Sequence, residues 1–315
     1  MKKYIGTALA VCVLLCLIVL NITSGIKLSE TQLETLKILG IICAFSALYC
    51  FTVGEIAKNY SQMDKLWSLL PIVYTWIIAA RGGMKLRLVL FALIVTAWGV
   101  RLTINFARKG AYSLKFWSGR EDYRWSIVKG NPIFKRKPMW TLFNLLFISV
   151  YQNFIVLAIC LPALACMDSA KPVGTWDIFA VLTALSFLAL ETVSDEYQWK
   201  FHQTKNRLLK GGSALEKLPA PYSLGFNTTG TWAYMRHPNY LGEQGMWLCL
   251  CLFVYAAGAA SGAFSWTFAG ALLLVLLFIG SSSLGEGISS GKYPKYADYC
   301  AQVHKYLPIR RYAQK

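Results

Sequence analysis

Glu191, Asp195, Gln198 and His202 recur at intervals of four, three and four residues inside an otherwise apolar stretch. On an α-helix that spacing lines all four along one face. An ionisable group at the centre of a bilayer-spanning helix costs roughly 2.5 to 3.5 kcal/mol, so a wall of them needs either a structural partner or a hydrophilic ligand. The structural reading is hydrogen-bonded glue between neighbouring helices. The functional reading is a polar wall holding a hydrophilic molecule inside an apolar bundle. A second cluster lies in Gly230-Thr-Trp-Ala-Tyr-Met-Arg-His-Pro-Asn-Tyr-Leu-Gly-Glu243, where Arg236, Asn239, Tyr240 and Glu243 stand three, four or seven apart. They share a face around Pro238, a residue suited to a first helical turn. Helix N-termini favour anions. Arg236 and His237 are thus equipped for a phosphate, and Glu243, a turn deeper, can accept a hydrogen bond from an amide or a ribose hydroxyl. The plainer alternative makes Arg236 and His237 cytoplasmic basic residues with Glu243 as their ion partner.

Further upstream, Glu55, Tyr60 and Asp64 surround the junction of the second and third apolar runs. Burial raises the pKa of a carboxylic acid, and a protonated Asp64 can donate to a carbonyl. A salt bridge to Lys65 or Arg101 is the alternative. Glu121-Asp122-Tyr123-Arg124-Trp125 reads as an interfacial anchor with internal ion pairs. Past Pro294, Tyr296, Tyr299, Val303 and Tyr306 fall on one stripe, which predicts a helix lying in the interface with its tyrosines at headgroup level. Eight of the nine cysteines sit in apolar runs and no Cys-x-x-Cys occurs, so neither a disulfide framework nor a metal site is expected.

The elements that must carry these residues follow from composition. With 56% hydrophobic and 15% charged residues among 315, and a mean hydropathy of +0.45, a soluble domain is excluded. A hydrocarbon core of about 30 Å needs ~20 apolar residues per helix. Such runs lie near 4–22, 37–57, 66–80, 86–106, 139–166, 176–199, 240–259 and 264–285. The expectation is an all-α, polytopic membrane helical bundle of about eight transmembrane helices, the first of them uncleaved. The net charge of +17 has to collect outside the bilayer. With both termini cytoplasmic, inward segments hold 25 of the 32 Lys and Arg and outward loops hold 6, although Arg81, Lys85 and Arg87 run against the rule. Membrane lipids are expected partners; nucleic acid and protein partners are not.

Asp195, the Arg-His-Pro-Asn-Tyr-Leu-Gly-Glu run at 236–243, Glu286 and the Tyr-Pro-Lys-Tyr-Ala-Asp-Tyr run at 293–299 together resemble the steroid 5α-reductase superfamily, most closely its bacterial branch. The similarity is strong over 185–310. Trp98-Gly-Val-Arg-Leu102 and Glu121-Asp122-Tyr123-Arg124 extend it more loosely toward residue 60. The resemblance implies a seven-helix bundle with NADPH in a polar cavity open to the cytoplasm and an apolar enone entering from the lipid. This chain would add an N-terminal helix and loop, 1–36, to a reductase-like domain, 37–315. The implied cofactor residues are Glu191, Asp195, His202, Arg236, Asn239, Tyr240, Glu243 and Glu286. Glu191 stands where the family has Asn, and His202 where it has Arg. Ser281, Ser282, Ser283 and Glu286 replace an Arg and a His-rich cluster. The implied reaction reduces a C=C bond conjugated to a ketone, as in a 3-oxo-4-ene steroid, with Asp64, Glu55 or Tyr60 at the carbonyl oxygen. Arg-His-Pro-x-Tyr-x-Gly also looks like the isoprenylcysteine and phospholipid methyltransferases, which bind S-adenosylmethionine, and a non-enzymatic sterol binder is a third reading.

Overall fold

The computed structural model describes residues 2–23, 25–212, 214–260, 262 and 265–313. Those residues form helices and connecting turns, with no strand among them. In chain order the helices are α1 (Lys2–Thr23), α2 (Glu30–Ala57), α3 (Gln62–Leu66), α4 (Leu70–Arg81), α5 (Leu86–Ala107) and α6 (Tyr123–Lys129). They continue as α7 (Lys137–Ala165), α8 (Thr175–Lys210), α9 (Pro238–Leu250), α10 (Leu252–Ala256), α11 (Phe268–Lys292) and α12 (Tyr296–Gln302). Among the described residues five helices, α2, α5, α7, α8 and α11, are long and apolar enough to cross a membrane. On α2, Ile41, Phe45 and Leu48 are each more than half exposed. A face of that size and apolarity requires hydrocarbon rather than water.

The expected apolar runs reappear with shifted ends. The first coincides with α1, Lys2–Thr23, and the third is represented by a shorter apolar helix, Leu70–Arg81. Pro71 opens α4, and Gly82-Gly83, the latter at positive φ, turns the chain straight into α5. The run at 240–259 is interrupted at Cys251, between α9 and α10. Within α7, residues Asn144–Tyr151 adopt π-helical geometry, a local widening often found where a helix accommodates polar groups. Asn144, Ser149 and Asn153 are all fully buried there.

The chain divides into two compact units, Met1–Leu182 with Leu248–Leu274, and Thr183–Trp247 with Val275–Lys315. In the first, Ser29 and Gln32 form a reciprocal capping box that starts α2, and the Gln32 amide donates to Leu164 O at the end of α7. Arg87 and Asp177 make a buried bidentate pair at 2.6 and 2.9 Å. Arg81 pairs with Glu34 at 2.8 Å, and Lys85 donates to Met167 O and Ser169 O. The three basic residues that break the charge rule thus each have a local partner.

In the second unit α9 lies hard against α8. A Cβ on Gly242 would come within 2.7 Å of Glu191 Cβ, and one on Gly245 within 2.4 Å of the Phe187 ring. The stripe of Tyr296, Tyr299 and Val303 corrects the interfacial expectation. All three are buried, packed with Leu224 and Phe226. The chain between 222 and 235 lies over them, and the Tyr299 hydroxyl donates to its carbonyls at Trp232 and Met235. The tyrosines serve a protein core, where their rings contribute area and their hydroxyls find acceptors.

Candidate functional site

The polar wall of α8 meets the face of α9 at Asp195 and Asn239, whose amide nitrogen donates to Asp195 Oδ1 at 3.0 Å. Because a carboxylate only accepts, this bond fixes the amide orientation and turns the Asn239 oxygen away from Asp195. That oxygen is buried and meets no hydrogen-bond donor among the described residues. Glu191 and Glu243 are both buried on the same two helices, and Gly242 brings the backbones close enough for them to line one seam. Gln198 contacts His202 at 3.1 Å one turn further along α8. Tyr240 stacks on His237 at 5.2 Å and meets the Phe278 edge at 4.6 Å, which fixes the start of α9. Of the eight expected cofactor residues, Glu191, Asp195, Asn239 and Glu243 are brought to this α8/α9 seam, with His202 down the same helix.

Arg236, His237 and Glu286 form a separate knot. Glu286 Oε1 accepts from Arg236 Nε at 2.8 Å and lies 3.0 Å from His237 Nε2, while Lys305 Nζ stands 3.6 Å from Oε2. Arg236 Nη1 also donates to Cys300 O and Val303 O. Burial pushes the His237 imidazole below its ordinary value, against the pull of Glu286. The plainer of the two readings of Arg236 and His237 gives them Glu243 as ion partner; Glu286, some fifty residues downstream, has that place instead. The cation at Arg236 is therefore matched by a carboxylate and two carbonyls, and works as a strut that ties the 234–237 turn to α11 and the C-terminal segment.

In the first unit the three candidate acids separate. Glu55, on the last turn of α2, accepts from Asn144 Nδ2 at 2.9 Å and pairs loosely with Lys58 at 3.4 Å. Tyr60 is buried against the Trp140 edge, with Lys129 Nζ 5.1 Å from its ring, and its backbone N–H donates to Glu121 Oε1 at 2.6 Å. Asp64, half-buried on α3, accepts from Trp125 Nε1 at 2.8 Å. Burial raises the Asp64 pKa, and the nearby charge of Asp122 raises it further. Burial also works against ionisation of Asp122, but the Arg124 guanidinium, 2.9 Å away, holds that carboxyl below the ordinary range. The expected internal ion pair of the 121–125 segment is thus present, and it favours the charged form of Asp122 while the Asp64 pKa is raised.

Lys65, weighed above as a salt-bridge partner of Asp64, is fully buried and donates instead to Phe116 O and Ser118 O, so it pins the 115–122 loop beside Asp64. Two further residues carry no sequence signal of their own. Lys205 and Asn227 are buried in the second unit. In sequence they are one lysine of a basic stretch and one polar loop residue.

A family model described as a protein of unknown function, DUF1295, matches residues 50–303. An uncharacterized protein of Schizosaccharomyces pombe is 33% identical over 267 residues, covering 80% of this chain and 73% of its own length. No solved structure matches.

Proposed function

The chain belongs to the DUF1295 family, described as of unknown function, and from the site we propose that it is a membrane-embedded, NADPH-dependent reductase acting on a C=C bond conjugated to a ketone in an apolar lipid, such as a 3-oxo-4-ene steroid. The observation that carries this reading is the Asp195–Asn239 pair, with its fixed amide and its buried, open oxygen. A carboxamide N–H is the donor such an oxygen suits, and the nicotinamide ring carries one. NADPH, when bound, supplies the hydride. Asn239 accepts from the carboxamide, Asp195 holds Asn239 in that orientation, and Glu191 and Glu243 offer acceptors along the same seam for ribose hydroxyls. Hydride arriving at the β-carbon of an enone moves negative charge onto the carbonyl oxygen, which a neutral acid stabilises by donating a proton. Asp64 is the acid assigned here, because its surroundings favour the protonated form.

The reading also takes eight spans, with α1 added to a seven-helix core, and both termini in the cytoplasm. The inward excess of Lys and Arg supports that orientation, and the local partners of Arg81, Arg87 and Lys85 weaken the charges that oppose it. The test supplies membranes containing the protein with NADPH and a panel of steroid enones, and follows cofactor oxidation with product mass. Oxidation coupled to a two-dalton gain, lost in Asp64→Asn, is the expected result. No turnover on any enone, with a methylated lipid formed on addition of S-adenosylmethionine, would replace the reading by the methyltransferase one.

A further inference from the structure

Lys205 lies on α8, one turn past His202, and is 6% exposed. Its ammonium donates to Gly225 O at 2.7 Å and stands 5.6 Å from the ring centres of Phe201 and Tyr293. Those are its contacts among the described residues, and none is a carboxylate. A lysine ammonium has three N–H donors, and a buried cation ordinarily carries a counter-charge. One carbonyl and two ring faces leave this one short of an anion.

The chain opposite supplies a second donor. From Gly225, held at Lys205, it runs back along α8 to Gly230, whose Cβ would meet the Tyr197 ring at 2.6 Å, and to Thr231, bonded to Ser194 at 3.0 Å. Positive φ at both Gly225 and Gly230 lets the segment turn in at each end. Asn227, between them, is 3% exposed. Its Oδ1 accepts from the Thr229 backbone N–H at 2.9 Å and the Thr229 hydroxyl at 2.8 Å. A backbone N–H can only donate, so the amide is fixed with Nδ2 on the other side. Nδ2 is buried there with no acceptor among the described residues.

We propose that Lys205 and Asn227, joined by the Gly225–Gly230 loop, form a site for a phosphate oxyanion carried by a ligand. An oxyanion supplies what both groups lack, a negative charge for the ammonium and an acceptor for the amide. The inference stands apart from the reductase reading, since the phosphate of a soluble nucleotide and that of a lipid headgroup meet the same two donors.

The experiment titrates inorganic pyrophosphate, ADP and adenosine into the full chain in dodecyl maltoside, a detergent without phosphate, and repeats the ADP titration with phosphatidic acid added. Pyrophosphate and ADP should bind and adenosine should not. Affinity for ADP should fall at least tenfold in Lys205→Met and Asn227→Asp, and Lys205→Arg should retain most of it. Asn227→Asp keeps an oxygen for Thr229, so its melting temperature should stay near that of the wild type even if Lys205→Met folds poorly. Competition by phosphatidic acid would assign the site to a headgroup, and indifference to it would assign a soluble phosphate; both outcomes support an oxyanion site. Equal phosphate affinity in wild type and Asn227→Asp, or no binding of pyrophosphate, ADP or phosphatidic acid to the wild type, would overturn it. The ammonium would then be satisfied by Gly225 O and the two rings.

Discussion

The Asn239 amide is committed on its nitrogen side and open on its oxygen side, and that asymmetry makes a residue-level forecast. Asn239→Leu removes the acceptor and takes one donor from Asp195, so NADPH affinity should fall roughly tenfold to a hundredfold, the scale of a hydrogen bond to a charged or buried group. Asp195→Asn should lose less if the new amide turns to accept from Asn239, and titration of NADPH into both variants in detergent compares them. Asp64 gives a pH forecast with a definite sign. Its folded pKa is raised, by burial first and by Asp122 second, above the ordinary value of 3.8. The stability contributed by the neutral acid is full below that ordinary value and is lost as pH rises through the folded one. The melting temperature should therefore lose a component over that window in the wild type but not in Asp64→Asn, and turnover should decline over the same range. The spacing of Asp195 and of Asn239 placed each on a helix face, but nothing local to either says that two groups forty-four residues apart touch. Only the resemblance joined them. Lys205 was illegible because a buried lysine and a solvated one are the same letter; its burial depends on the loop that returns from Gly225.

At the scale of elements, Gly242 sets the spacing of α8 and α9. Any side chain there meets Glu191 and the Phe187 carbonyl at under 3 Å, so Gly242→Leu should force the helices apart. A loss of about 1 to 3 kcal/mol is the usual cost of overpacking. Cofactor affinity should fall with it, because Asn239 and Asp195 sit on the separated surfaces, and a thermal melt run beside the binding titration reads both. In the first unit, Arg87→Met should destabilise by about 3 to 5 kcal/mol by stranding buried Asp177, and the double variant with Asp177→Leu should recover much of that. The helices themselves were legible from apolar runs and breakers such as Pro71 and Gly82-Gly83. The π-helical stretch at Asn144–Tyr151 was not, since its residues read as any apolar helix. Of the expected stripe, Tyr296, Tyr299 and Val303 do share one packed surface, but the helix ends at Gln302 and Tyr306 lies beyond it; periodicity also cannot say whether a face meets lipid or protein. The Leu224–Phe226 loop that covers it comes from a different part of the chain.

For the molecule as a whole, orientation and chemistry are separable claims. If both ends are cytoplasmic, single cysteines placed at Lys27 and Lys171 in a cysteine-free background should react with an impermeant maleimide from outside spheroplasts, while one at Lys295 should react only after lysis. The reverse pattern would invert the topology. The proposed chemistry rests on the α8/α9 seam, and the direct measurement is equilibrium binding of NADPH, NADH and S-adenosylmethionine to the purified chain, wild type and Asn239→Leu side by side. A reduced nicotinamide dinucleotide should bind the wild type, lose at least tenfold in Asn239→Leu, and outcompete S-adenosylmethionine. Binding of S-adenosylmethionine with neither NADPH nor NADH, or nicotinamide binding indifferent to Asn239→Leu, would contradict the account.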